Sequence, residues 1–159
     1  MRGTVGPLFD SVWRWLSEAK VVESRRIRPD LMTWRRGSAQ MAARVNGDMN
    51  NLSIYSVLLS DVPPNQALLH YLLHYNSLQR IESFGLLERG DRWYVLLKYT
   101  LGLELLSQDA FQSHVFYMQE RADELDTDMV KRFGGMLHFE DWKKLDQKSV
   151  DDMIGSLFG

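Results

Sequence analysis

Hydrophobic positions along the chain switch between two periods, and the clearest agreement of pattern with element lies between Pro63 and Leu101. After Pro63-Pro64, the residues Ala67, Leu68, Tyr71, Leu72, Tyr75 and Leu78 recur at helical spacing on one broad face, which predicts a helix over 65–80. A strand over 83–87, the turn Arg89-Gly90-Asp91 and a strand over 93–101 then read as a hairpin. On its second strand Trp93, Val95, Leu97, Tyr99 and Leu101 share one face at period two. A hairpin with one wholly apolar side needs cover, and the preceding helix is the nearest element able to give it.

Ahead of this unit, Leu8, Phe9, Val12, Leu16 and Ala19 form a stripe after Pro7, which predicts a first helix over 7–22. Trp13 and Trp15 flank the stripe. Core packing is the ordinary reading of both, and a partner-facing Trp15 is the sharper one. Arg25, Arg26 and Arg28 then lead to Pro29-Asp30, after which 31–35, 40–45 and 52–59 read as three strands, separated by Gly37-Ser38 and Asn46-Gly47-Asp48. The middle strand alternates, with Met41, Ala43 and Val45 inward against Gln40, Ala42 and Arg44 outward, as a half-solvated strand does. The third is apolar on both faces, Leu52, Ile54 and Leu58 against Tyr55, Val57 and Leu59, which marks a central strand or one covered on both sides.

A third helix opens at Ser107 as N-cap, with Asp109 in its first turn, and continues through Phe111, Val115, Met118, Ala122, Leu125 and Met129 to Phe133, where Gly134-Gly135 stops it. Its carboxylates Asp123, Glu124, Asp126 and Asp128 read as an exposed side, paired with Arg121, Lys131 and Arg132. The chain therefore divides into a domain over 1–133 and a C-terminal tail over 134–159. Within the tail, Ser149 caps a short helix whose face is Val150, Met153, Ile154, Leu157 and Phe158. So short a helix is marginal in water unless that face is buried, so the tail is expected to dock in an apolar groove of its own domain or of a partner.

Composition narrows the function. A chain of 159 residues with 45% hydrophobic and 25% charged residues can bury one core unaided, and no apolar run is long enough to span a membrane. Nothing near Met1 resembles a secretory h-region, which argues against export by such a signal. The absence of cysteine excludes disulfides, thiol catalysis and thiolate metal sites, and with the rest favours a cytoplasmic location. Net charge is −2 but uneven: residues 1–36 hold 8 Lys/Arg against 4 Asp/Glu, and residues 104–159 hold 6 against 12. That basic excess is too small to call for nucleic acid.

The pair His70 and His74 has metal-ligand spacing on a helix, but Tyr71, Leu72 and Leu73 between them supply no carboxylate, and no catalytic or metal residues are assigned. There is no Gly-rich phosphate loop and no cofactor is expected. What packing leaves unexplained is apolar: Tyr94 and Leu96 on the outer side of the hairpin, and Leu69 and Leu73 on the side of their helix away from Tyr71 and Tyr75. With Trp15 they form the candidate partner-binding or dimer surface.

The order helix, three strands, helix, two strands, long helix, with the run from Leu58 through the Pro63-Pro64 helix and the phrase Ser83-Phe84-Gly85-Leu86-Leu87 before a charged turn and Trp93 to Tyr99, resembles the type III secretion chaperones of the CesT kind and the related YbjN-like proteins. The resemblance implies an α+β fold of α-βββ-α-ββ-α order, with a five-stranded, largely antiparallel sheet packed against helices. It also implies a non-enzymatic, dimeric, cytoplasmic bacterial protein that binds a segment of a protein client. Two functions follow: a chaperone-like homodimer, or a regulatory or scaffold protein of the YbjN-like kind whose own tail fills the groove.

Overall fold

The computed structural model describes residues 5–19, 22–37, 39–78 and 80–137. In chain order the elements are α1 (Val5–Glu18), β1 (Val22–Arg28), β2 (Leu31–Arg36), β3 (Ala39–Asn46), β4 (Asn51–Val62), α2 (Gln66–Ser77), β5 (Ser83–Arg89), β6 (Arg92–Gly102), a 3-10 turn (Leu103–Leu105), α3 (Gln108–Phe133) and β7 (Met136–Leu137). The strands form one antiparallel sheet in the order β1-β2-β3-β4-β6-β5, with β7 added beside the end of β4. The expected α+β class, the helix and hairpin positions and the central place of β4 are all present.

Local chemistry accounts for the ends of these elements. The Asn65 side chain accepts from the backbone of Ala67 at 2.8 Å and of Leu68 at 3.3 Å to start α2, and Ser107 Oγ accepts from Ala110 at 3.1 Å to start α3. At the far end of α3, Gly134 takes φ 75° and its N–H donates to the Val130 carbonyl at 2.9 Å. Gly135 follows at φ 79°, where an added Cβ would sit 2.7 Å from Val62 Cγ2, so only glycine lets the chain turn back onto β4 as β7.

The main core lies on one side of the sheet. Phe111, Val115, Met118, Ala122, Leu125 and Met129, the whole predicted stripe of α3, are buried against strand residues that include Met32, Trp34, Met41, Ile54, Val95 and Leu97, with Val12 and Leu16 of α1 and Leu68, Leu72 and Tyr75 of α2 in the same cluster. Fully burying each such side chain contributes about 1.5–3 kcal/mol. One polar bond is embedded there: Trp34 Nε1 donates to Gln119 Oε1 at 2.6 Å.

Three features depart from the sequence reading. The sheet has more than five strands, because β1 precedes the three expected ones and β7 follows α3. β1 escapes hydrophobic patterning since it is a cation-rich edge strand, paired with β2 through two register shifts and tied to α1 by Arg26 and Asp10 at 2.5 Å. It also shortens the first helix, which ends at Glu18 rather than near Val22. In β4 the register passes from Val57 opposite Leu96 to Leu59 opposite Val95, leaving Leu58 as a bulge, so Leu58 and Leu59 both enter the main core instead of facing opposite sides. The third departure is that Ala42 and Gln40, expected at a solvated face, are buried. Ala42 belongs to a second cluster with Leu31, Val57 and Leu96 on the other side of the sheet. The predicted helix over 149–158, and the tail beyond Leu137 generally, lie outside the described residues.

Replacing Gln119 by Leu keeps the bulk but strands the buried Trp34 indole N–H, and should cost about 1–3 kcal/mol in urea unfolding. An unchanged midpoint would show that the bond carries nothing.

Candidate functional site

The most constrained chemistry in the described chain surrounds Glu82, in the link between α2 and β5. Its side chain is fully buried, 0% exposed, and both oxygens are bonded: Tyr75 Oη of α2 donates at 2.5 Å to Oε1, and Tyr117 Oη of α3 donates at 2.8 Å to Oε2. Arg121 of α3 completes the cluster, with Nε 3.4 Å from Glu82 Oε1 and donating at 3.0 Å to Tyr75 Oη. Burial alone would raise the Glu82 carboxyl, but the bonds from Tyr75 and Tyr117 and the Arg121 charge outweigh it and hold the carboxyl below its ordinary range. Tyr75 is pushed up to about 12 by burial and by its bond to the carboxylate. Such a fixed charge is a positioning device, since near neutral pH the carboxyl stays ionised and the tyrosine hydroxyls keep the protons they donate to it.

What this cluster positions is apolar surface. With Tyr75 turned inward, Leu69 and Leu73 stand on the far side of α2, 36% and 71% exposed. Just beyond, Asn76 binds the sheet edge at both backbone groups of Phe84, accepting from its N–H at 2.7 Å and donating to its carbonyl at 3.0 Å. Alternation along β5 therefore points the N–H and C=O groups of Leu86 and Glu88 away from β6, along the outer edge of the sheet. On α3, Phe116, 59% exposed, and Tyr117 line a shallow groove of about 590 Å³ with Gln112, Ser113 and Glu120.

The residues singled out from the sequence fall in three places. Leu69 and Leu73 are exposed together on α2. Trp15 is half-buried with its ring 6.0 Å from that of Phe111, and its carbonyl accepts from Gln112 Nε2 at 3.2 Å, which sets it at the border of the α3 groove. Tyr94 and Leu96 face the opposite side of the sheet, Tyr94 half-buried and Leu96 only 6% exposed. Val150, Met153, Ile154, Leu157 and Phe158 lie outside the described residues. His70 and His74 are both exposed, and among the described residues no group of three or more potential metal ligands comes together. Of the carboxylates read as exposed on α3, Asp126 is instead buried. Arg121 is likewise more than a surface partner, since it joins Glu82 as well as Glu124.

Sequence reasoning missed Phe116 and Tyr117, although two adjacent aromatics off the Phe111 to Met129 stripe of a long helix were a visible signal. It could not have found the Glu82 cluster, whose members come from three separate stretches.

A family model described as the type III secretion (YopN, CesT) and YbjN peptide-binding chaperones, TY-Chap1, matches residues 11–141. The chain belongs to this family. Three solved structures share its fold. YbjN from E. coli, titled a putative transcription regulator, is 12% identical and covers 81% of this chain and 94% of its own, with a TM-score of 0.61. A chain of the ExsC-ExsE complex is 14% identical over 76% of this chain and 94% of its own, at 0.58. A chain of the HopA1-SchA chaperone-effector complex is 13% identical over 79% of this chain and 98% of its own, at 0.57. No curated protein matches. None of the described helices in this TY-Chap1 member is long and apolar enough to cross a membrane.

Because the folded Glu82 carboxyl lies below its ordinary value, its stabilising effect is complete above about pH 4.5, the unfolded range, and fades as pH falls through the folded value. Glu82→Gln should therefore cost about 1–3 kcal/mol at pH 7, with the gap to wild type narrowing in acid. Urea midpoints measured at pH 7 and near pH 3 check this, and a gap that widens in acid would refute it.

Proposed function

We propose that this chain is a non-enzymatic peptide-binding module that acts as a homodimer in the cytoplasm and holds a segment of a partner protein. The observation that carries the reading is membership of a peptide-binding chaperone family by a match over most of the chain. Two surface features support the reading. Leu69 and Leu73, beside the outward backbone groups of β5, supply an apolar helix face and a sheet edge, the two elements from which a symmetric pairing of copies is built. The α3 groove, with Phe116 and Tyr117 as aromatic walls and Trp15 at its border, suits an apolar anchor of a bound segment.

Changing Leu69 and Leu73 to Glu together places two charges in the proposed dimer contact and should shift the protein to monomers in sedimentation or sizing chromatography. Both positions are solvent-facing, so folding should survive. Unchanged elution removes this surface from the assembly.

Phe116→Ser tests the groove separately. Against a displayed library of random peptides, wild-type protein should enrich apolar sequences and the variant should lose about fivefold or more in binding, the equivalent of about 1 kcal/mol. Equal enrichment by both proteins would exclude the groove.

A further inference from the structure

The α3 groove has charged groups at its borders, and two of the three near Tyr117 are already matched. Glu120, which lines it, accepts from Arg36 Nη2 of β2 at 3.1 Å. Arg121, one helical turn beyond Tyr117, is shared between buried Glu82, at 3.4 Å, and Glu124, at 3.0 Å. Arg80, in the link between α2 and β5, is different. It is exposed, and among the described residues no carboxylate lies within ion-pair distance of it. Its guanidinium stands instead 5.2 Å over the centre of the Tyr75 ring. An arginine attracted to an aromatic face keeps its in-plane N–H donors for an oxygen acceptor.

This cation belongs to the groove by way of Glu82. The carboxylate takes Tyr75 Oη on Oε1 and Tyr117 Oη on Oε2, so the ring beneath Arg80 and the ring that walls the groove converge on one residue. Burial and the bond to Glu82 raise the Tyr117 hydroxyl, while the charges of Arg121 and Arg80 oppose the rise, so the Arg80 charge is felt at the groove wall. Apolar surface adjoins the cation as well. Ile81, between Arg80 and Glu82 in the chain, is 54% exposed.

We propose that the partner segment taken by the α3 groove pairs an apolar anchor with an aspartate or glutamate, the anchor seated at Phe116 and Tyr117 and the carboxylate at Arg80. Charge decides between the occupants. A basic segment would find Glu120 already engaged by Arg36 and would bring its cations toward Arg80, whereas a carboxylate meets a cation with no acid to displace. A purely apolar segment would use the groove walls alone and gain nothing from Arg80. Reach is not limiting. At about 3.3 Å per extended residue, a carboxylate within about five residues of the anchor can follow the contacts of 2.8, 2.5 and 5.2 Å that lead from Tyr117 through Glu82 and Tyr75 to Arg80. The inference rests on the groove reading above and gives it a ligand class, an acidic and apolar polypeptide segment. Because an exposed ion pair is weak, Arg80 serves selection among apolar segments more than total affinity.

Parallel selections from a displayed library of random peptides, on wild type, Arg80→Glu, Arg80→Gln and Phe116→Ser, test it. Wild type should enrich peptides with Asp or Glu within about five residues of an apolar anchor, and Arg80→Glu should enrich Lys or Arg at the same offset. Arg80→Glu adds a negative charge near Glu82 and could disturb folding. Arg80→Gln adds none, and should keep the apolar preference while losing the acidic one. A synthetic copy of the strongest acidic peptide should bind Arg80→Gln about two- to fivefold more weakly than wild type, the scale of one exposed ion pair, and the difference should shrink at high salt. The proposal is overturned if wild type enriches apolar peptides with no excess of Asp or Glu, or if the charge preference is the same in both Arg80 variants as in wild type. If wild type enriches no apolar peptide, or the enriched peptide binds Phe116→Ser equally well, the groove reading itself is removed, so the two ideas fail separately.

Discussion

A carboxylate with no exposure to water, Glu82, imposes the constraint from which the exposed apolar side of α2 follows. An isolated buried charge is costly by several kcal/mol, so its two oxygens must be bonded, and the donors come from two different helices: Tyr75 on α2, and Tyr117 on α3. Arg121 places its charge against the same pair. Rotation of α2 about its axis would withdraw the Tyr75 hydroxyl and leave Glu82 Oε1 without that hydrogen bond, which favours the helix with Tyr75 inward. At about 100° per residue, Leu68 and Leu72 then share the inward side, while Leu69 and Leu73 fall some 120–160° away from Tyr75. Their exposure is thus not slack in the packing. It is the geometric consequence of satisfying one buried charge, and Asn76, holding the edge at Phe84, fixes the sheet in the same register.

Much of the fold was legible because its signals are local. The hairpin of β5 and β6 is announced by period-two alternation around Arg89-Gly90-Asp91, and α3 by a cap at Ser107, a continuous stripe and a glycine stop, each enforced by neighbours in sequence. β1 was not legible, because an edge strand pairs on one side only and tolerates Arg25, Arg26 and Arg28, whose side chains carry no hydrophobic period. The bulge at Leu58 was hidden for a related reason: alternation fixes which residues are apolar, but the extra residue is set by how β4 must meet β6. The candidate site was read in part. Leu69 and Leu73 stand out on a helical wheel as a second apolar side. Leu96 looked the same on a strand, yet it is buried among Leu31, Ala42 and Val57, which lie far apart in sequence and meet only through four strands in register. Glu82 gives no signal at all, since its partners are brought by tertiary contact.

The two faces of β4 carry the deeper argument. In an antiparallel sheet with one wet side, every second residue of a central strand should be polar. β4 instead offers Ile54 to the helices and Tyr55 and Val57 to the other side, and its partners there, Ala42 and Leu96, are as dry as the helical core. Such a strand is selected for two layers of cover, of which the helices supply one. The arginines around the second layer extend it, since their aliphatic stems can lie along apolar surface while the guanidinium groups stay hydrated or paired. In this fold one face of the sheet is held by helices, and the other carries a separate apolar layer contributed by strand residues alone.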